Sequence, residues 1–368
     1  MMNTAFEEFE FATTKCFLRD QKRELLQIFD RPSEFMASSD ERILKYPVID
    51  KEELTAFRRE SVSEKAKEKY RRFFDEGNKL VFIYDKDFPP QLRHISSPPV
   101  ALFIKGTLPD KDEKLVAMVG ARRCNDYGRL MSEKIAKDLA KNGFSVVSGM
   151  AYGIDGYSHR GCIAAGGRTY AFLGSGTDIC YPPSNRDIYE QIPQHGALIS
   201  EFPPGMEPTK QSFPDRNRLI SGMSGAVLVM QARERSGSLI TADMALDQGK
   251  DVYALPGMIT DPLSSGTNRL IWQGAGIIRS SEALIAQLKM EDASFEIEDL
   301  DEEMEKLNLE KDEMVVYSCF DFCAKSIDEV QKETNMTLLE LLNIVVSLCS
   351  KGYLKEVFMN HYVRNVPG

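Results

Sequence analysis

An α/β fold built on a doubly wound parallel sheet is predicted by three features of this 368-residue chain. From residue 115 onward, short apolar runs rich in β-branched residues alternate with amphipathic helical stretches. Glycines separate the two kinds of segment and supply the turns. The intervals between runs each leave room for one crossover helix, as βαβ units require. The strand runs, in order, are 115–119 (LVAMV), 144–148 (FSVVS), 169–173 (TYAFL), 197–200 (ALIS), 226–230 (AVLVM), 251–255 (DVYAL) and 276–279 (GIIR). The helical stretches are 127–142, 155–165, 185–191, 215–223, 238–248 and 268–272.

The flanks read differently. Residues 1 to about 75 form short helices, among them 22–29 and a charged amphipathic helix over 51–74. An apolar strand at 80–84 follows, and then a breaker-rich stretch, DFPPQLRHISSPPVALFIKG. At the other end, MVVYSCFDFC is helical in pattern. Ser326 and Glu329 form a capping box, and an apolar-periodic helix over 337–350 ends at Lys351-Gly352. Two strands around Met359-Asn360 complete a winged-helix pattern. The expected domains are a helical N-terminal domain at 1–78 (SAM-like or a degenerate helix–hairpin–helix), the sheet domain at 79–288, an acidic linker at 289–313 and the winged helix at 314–368.

Composition narrows the function classes. Apolar residues make up 42% and charged residues 28%, which are globular values. No apolar run approaches the ~20 residues that span a bilayer, and the acidic N-terminus lacks the regions of a signal peptide. A cytoplasmic protein with no membrane association is expected. Seven cysteines lie scattered without a CxxC pair, and four histidines form no cluster, so neither disulfides nor a metal site is expected. The net charge of −10 argues at first against nucleic acid. Residues 291–313, however, carry 12 acidic and 2 basic residues, which leaves 44 of each sign elsewhere. The acidity is one segment, either a solvated tether or a shield over a basic pocket.

In a parallel sheet, ligands bind beyond the carboxyl ends of the strands, near the switch point. Those ends are rich here in Gly, Ser and Arg: VGARRCNDYG, SGMAYGIDG, GSGTDICYPPSN, SEFPPGMEPTKQSFPDRNR and QARERSGSLITA. Glycine permits close backbone approach, free N–H groups at helix starts bind anions, and arginine adds forked donors. Gly120, Arg122, Arg123, Ser148, Gly149, Arg216, Asn217, Arg218, Ser236, Gly237 and Ser238 are therefore expected to converge on one polyanion. No GxxxxGK[ST] or GxGxxG is present, so neither an NTPase phosphate loop nor a dinucleotide cofactor is expected. Asp155 and His159 lie four apart on one helix. The expected roles are a helix cap and a packed ring, not an acid–base pair.

These stretches resemble the DNA processing protein A (DprA/Smf) family. The matching segments are VGARRCNDYG, SGMAYGIDGYSH, GSGTDICYPPSN, SEFPPG, SFPDRNRLISG, RSGSLITA and VYALPG, in the family's order between Val119 and Gly257. The resemblance implies an extended Rossmann fold and a homodimer that binds single-stranded DNA. It implies a non-enzymatic recombination mediator that protects incoming DNA and loads RecA recombinase during natural transformation in competent cells, alongside single-stranded DNA-binding protein. By the same resemblance Arg122 and Lys210 contact phosphate, Phe213 contacts a base, and Arg216, Asn217 and Arg218 shape the pocket. Physically, Lys210, Phe213, Arg216 and Arg218 set three cations and one ring within nine residues, the mix that single-strand binders use. The competing class is a nucleotide-processing enzyme of the phosphoribohydrolase type, but its PGGxGT-like turn is absent. Leu270, Ile271, Trp272, Ile277 and Ile278 are the candidate dimer surface. The helix at 337–350 has no Lys or Arg before Lys351, so the winged helix is expected to serve protein contacts or to bind DNA only weakly.

Overall fold

The computed structural model describes residues 2–61, 63–293, 309, 311–320, 325–334 and 336–364. Most of the acidic linker, 294–308 and 310, lies outside the described residues. The chain divides into two compact units, Met1–Lys289 and Met290–Gly368.

The first unit opens with six helices: α1 (Met2–Thr13), α2 (Arg19–Phe29), α3 (Pro32–Ala37), α4 (Asp40–Ile43), α5 (Lys51–Ser61) and α6 (Glu64–Asp75). The single helix expected over 51–74 is two helices, because Ser63 leaves the helical conformation and its hydroxyl accepts from Ala66 N to start α6. An aromatic core formed by Phe9, Phe11, Phe17, Phe29, Phe35, Phe57 and Phe73 packs these helices together. It continues onto Phe82 and Phe103, which belong to the first two strands, β1 (Lys79–Phe82) and β2 (Ala101–Gly106).

The remaining elements alternate: β3 (Lys114–Val119), α7 (Asp126–Lys141), β4 (Phe144–Ser148), α8 (Ile154–Ala164), β5 (Thr169–Phe172), α9 (Arg186–His195) and β6 (Gly196–Ser200). Then come α10 (Ser212–Met223), β7 (Ala226–Val229), α11 (Gly237–Asp247), β8 (Asp251–Ala254), α12 (Ser265–Trp272), β9 (Gly276–Ile277) and α13 (Ser281–Ala293). The nine strands form one sheet in the order β1-β2-β6-β5-β4-β3-β7-β8-β9. All pairings from β6 to β9 are parallel, as the alternation predicts. The two added edge strands run antiparallel. Strand β2 falls inside the stretch read as breaker-rich; its prolines precede the strand, and none interrupts 101–106.

Strand β3 shows why the sheet holds. Leu115, Ala117 and Val119 face Leu219, Ile220, Leu239 and Ala242 of α10 and α11. Val116 and Met118 face Ile135, Leu139 and Ile154 of α7 and α8, and Leu284 and Leu288 of α13. Successive side chains point to opposite faces, and both faces are covered. The switch point lies at β3, with β4 on one side and β7 on the other.

Among its described residues the second unit has three helices, α14 (Lys311–Ser318), α15 (Ile327–Thr334) and α16 (Leu338–Ser350). Its small antiparallel sheet, in the order β10-β12-β11, joins β10 (Lys325–Ser326), β11 (Leu354–Phe358) and β12 (His361–Arg364). The Ser326–Glu329 capping box is formed, and Asn360 turns the hairpin at φ 59°. No helix among the described residues is long and apolar enough to cross a membrane.

Candidate functional site

A cavity of about 840 Å³ opens at the carboxyl ends of the parallel strands. Four strand-to-helix connections build it. The β3–α7 turn brings Gly120, Ala121, Arg122 and Arg123. The β4–α8 turn brings Ala151 and Asp155. The first turns of α10 and the segment just before them bring Lys210, Phe213, Arg216 and Asn217. The β7–α11 turn brings Arg233, Arg235, Ser236, Gly237 and Ser238. Tyr181, after β5, closes one side.

The charge balance is one-sided. Six cations, Arg122, Arg123, Lys210, Arg216, Arg233 and Arg235, line the cavity against one carboxylate, Asp155. Among the described residues none of the six is in an ion pair. Five of them are exposed, so their charge is available to a ligand. Arg216 differs, being 3% exposed. Its Nη1 donates to Gly149 O at 2.7 Å and to Phe172 O, and its Nε donates to Asn217 Oδ1 at 3.2 Å. Burial pushes its guanidinium down to about 10, against the opposing pull of Asp155. Burial raises the carboxyl of Asp155 above the ordinary range, while Arg216 and two backbone N–H donors, Gly149 and Ala151, draw it down.

Two local features tune the floor and wall. At Gly149 a Cβ would lie 2.6 Å from Cζ and both terminal nitrogens of Arg216, so only glycine lets that guanidinium in. At the start of α11, Ser236 is the N-cap and its hydroxyl accepts from Ser238 N at 3.4 Å. The positive end of α11 thus faces the cavity. Phe213 is the inner aromatic surface, and the guanidinium of Arg122 sits 4.7 Å from its ring centroid.

Of the thirteen residues expected at a binding site, the structure brings ten to this cavity: Gly120, Arg122, Arg123, Lys210, Phe213, Arg216, Asn217, Ser236, Gly237 and Ser238. The other three do not line it. Ser148 is fully buried and donates to Met118 O at 2.6 Å. Gly149 lies beneath Arg216. Arg218 is 6% exposed and pairs with Glu201 at 2.5 Å, and Arg19 approaches the same carboxylate at 3.1 Å. Residues i and i+2 project about 200° apart on a helix, so Arg216 and Arg218 cannot share a face. Sequence reasoning missed Tyr181, Arg233 and Arg235; the two arginines flank Glu234, which masked their common direction.

The Asp155–His159 spacing carries no acid–base pair. The hydroxyl of Thr169 donates to Val146 O at 2.8 Å and has one proton, so His159 Nδ1 donates to it at 2.6 Å. Burial pushes the ring down to about 3, and it stays neutral. Among the described residues no group of three His, Cys, Asp or Glu side chains is placed to hold a metal ion. Of the candidate dimer surface, Leu270 and Ile278 are buried in the sheet's own core, Ile271 packs against it, and Trp272 and Ile277 are 84% and 45% exposed.

Residues 79–289 match the family described as DNA recombination-mediator protein A. The chain is 42% identical over 216 residues to DNA processing protein DprA of Bacillus subtilis, covering 58% of this chain and 72% of that one. It is 40% identical over 207 residues to DNA processing protein DprA of Streptococcus pneumoniae, covering 56% and 73%. The solved structure of the Streptococcus pneumoniae protein superposes with a TM-score of 0.62 at 31% identity, over 77% of this chain and 97% of that one. DNA processing protein A from Helicobacter pylori, whose structure concerns its single-stranded DNA binding mode, superposes with a TM-score of 0.53 at 29% identity, over 58% and 96%.

Proposed function

The chain belongs to the DNA recombination-mediator protein A family, and from that membership and the cavity we propose that it binds single-stranded DNA as a recombination mediator. The observation that carries this reading is the set of six cations without ion-pair partners among the described residues, gathered in one cavity with the ring of Phe213 at the carboxyl ends of the parallel strands. Phosphates meet Arg122, Arg123, Lys210, Arg233 and Arg235 and the N-terminal end of α11. Arg216, held from below, contributes fixed charge at the floor. A base stacks in the region of Phe213, where every base offers a π-face, so the grip is indifferent to sequence. An unpaired strand fits this arrangement because its bases are free to reach the ring.

The wider role follows from the family. The protein holds single strands in the cytoplasm, protects them, and hands them to RecA recombinase in the presence of single-stranded DNA-binding protein during natural transformation. It performs no catalysis. It works as a homodimer, with Trp272 and Ile277 as the exposed part of the dimer surface. The C-terminal unit is a winged helix given over to protein contacts. Supporting this, α16 leaves Leu338, Leu339 and Val346 exposed and has no basic residue before Lys351.

Two assays test the reading. Fluorescence anisotropy with labelled oligo-dT shows binding that Arg122→Ala and Lys210→Ala each weaken while the thermal midpoint holds. Recombinase filament growth on strands coated with single-stranded DNA-binding protein speeds up when this protein is added. Unchanged oligo-dT affinity in both variants rejects the cavity, and unchanged filament growth rejects the mediator role.

A further inference from the structure

A strand held in the cavity must continue outside it, and the surface leading out past Phe213 is aromatic. Tyr181 lines the cavity, with its ring centroid 5.6 Å from that of Phe213 and the planes tilted by 38°. Tyr152 comes next, 6.4 Å from Tyr181 at 75°. It follows Ala151, which lines the cavity, and lies itself beyond the lining. Both tyrosines are exposed, at 36% and 43%. Three rings therefore run in series from the cationic interior to the surface.

The loop that presents Tyr152 is fixed in place. Asn185 Nδ2 donates to Met150 O at 3.1 Å and to Ala151 O at 3.0 Å. Asp155 accepts from Ala151 N, and Gly149 lies under Arg216. Met150 is fully buried at φ 53°, and Gly153 adopts φ 72° where a Cβ would lie 2.4 Å from Ala121 O. The unusual backbone ahead of Tyr152 is thus held by the buried side chains of Asn185 and Asp155, and the glycine after it makes a close approach to Ala121. A ring displayed this way loses little freedom when a flat partner lies on it.

We propose that Tyr181 and Tyr152 form an outward stacking path that carries bases of the single strand beyond the cavity, about one base per ring. The proposal rests on the single-strand reading above and adds to it where the strand leaves. The path supplies stacking and no charge, so its loss lowers affinity and leaves the salt dependence alone. A surface of this kind would also suit an apolar protein segment. Its continuity with the cationic cavity favours nucleotides instead, and the test separates the two.

The experiment measures binding of oligo-dT of about 4 and about 16 nucleotides, the span of common single-strand sites, at several salt concentrations. Tyr152→Ala and Tyr181→Ala each weaken the longer oligonucleotide by at least about fivefold, with an unchanged salt slope and thermal midpoint. Tyr152→Ala leaves the shorter one unaffected, and Tyr152→Phe and Tyr181→Phe bind as wild type. Arg122→Ala, by contrast, weakens both lengths and flattens the slope. If both tyrosine-to-alanine variants hold the longer oligonucleotide as tightly as wild type while Arg122→Ala does not, the path is wrong and the cavity stands. A tyrosine variant that lowers the thermal midpoint or the salt slope also overturns the proposal. Failure of the wild-type protein to bind either length overturns the single-strand reading itself.

Discussion

Replacing Gly149 with alanine tests how the floor of the cavity is built. The added Cβ would lie 2.6 Å from three atoms of the Arg216 guanidinium, roughly 1 Å inside ordinary contact. That guanidinium has little room to yield, because Nη1 is held by Gly149 O at 2.7 Å and by Phe172 O. A retreat of about 1 Å carries the donor out of hydrogen-bond range of one or both carbonyls. Overpacking costs about 1–3 kcal/mol, and a hydrogen bond from a charged donor is worth about 1.5–3 kcal/mol. Gly149→Ala is therefore expected to cost about 2.5–6 kcal/mol, which lowers the thermal midpoint by roughly 4–10 °C in a unit of this size. A double-mutant cycle isolates the cause. With Arg216→Ala already in place the clash is gone, and Gly149→Ala then costs less than about 1 kcal/mol. Circular dichroism melts of the four proteins give the comparison. Equal costs in the two backgrounds would show that Arg216 is not what requires glycine at 149.

Three other outcomes follow from the same structure. Arg218→Ala leaves the buried Glu201 carboxylate with Arg19 as its one cationic partner and is expected to lower stability by about 1.5–3 kcal/mol, with oligo-dT affinity of the folded protein unchanged; a loss of affinity without a loss of stability would move Arg218 into the site. The carboxyl of Glu10 is pushed up to about 7, chiefly by burial, with Lys69 pulling it back and Glu60 adding to the rise. The folded chain thus keeps a proton that the unfolded chain releases near its ordinary value of about 4.3, so stability falls as pH rises from about 4.5 to 7. Glu10→Gln flattens that fall and is the more stable protein at pH 8 in melts across the range; an unchanged profile refutes the assignment. Trp272→Glu is expected to shift the protein from dimer to monomer in sedimentation velocity and to remove the concentration dependence of the thermal midpoint, while the monomer's own packing is untouched because the ring is exposed. A wild-type protein that sediments as a monomer would end that expectation.

The sheet was legible because its central parallel strands, β4 to β7 among them, are buried on both faces and so read as short runs rich in apolar, β-branched residues. AVLVM at 226–230 and FSVVS at 144–148 are too short for a core helix and sit between glycine-bounded helical stretches, which assigns them as strands. Strand β2 hid behind the prolines that precede it, and its antiparallel partners β1 and β6 are fixed by tertiary pairing. Nothing local distinguishes α5 from α6 except Ser63, a capping residue inside an otherwise continuous charged pattern. The cavity rim was legible in composition, since Gly, Ser and Arg at strand ends have a shared physical reason. Direction was not. Arg216 and Arg218 are alike in sequence and opposite in space, and Ser148 turns its hydroxyl to the Met118 carbonyl. Tyr181 and Tyr152 become a set only when the chain brings 152, 181 and 213 side by side.

The most direct test of the cavity as a grip on the DNA backbone is the salt dependence of oligo-dT binding. Each phosphate neutralised on a single strand contributes about −0.7 to the slope of log affinity against log salt, so five exposed cations give up to about −3.5. A slope between about −2 and −3.5, falling by about 0.7 in Arg122→Ala, is the predicted result. A slope near zero, or the same slope in that variant, contradicts it.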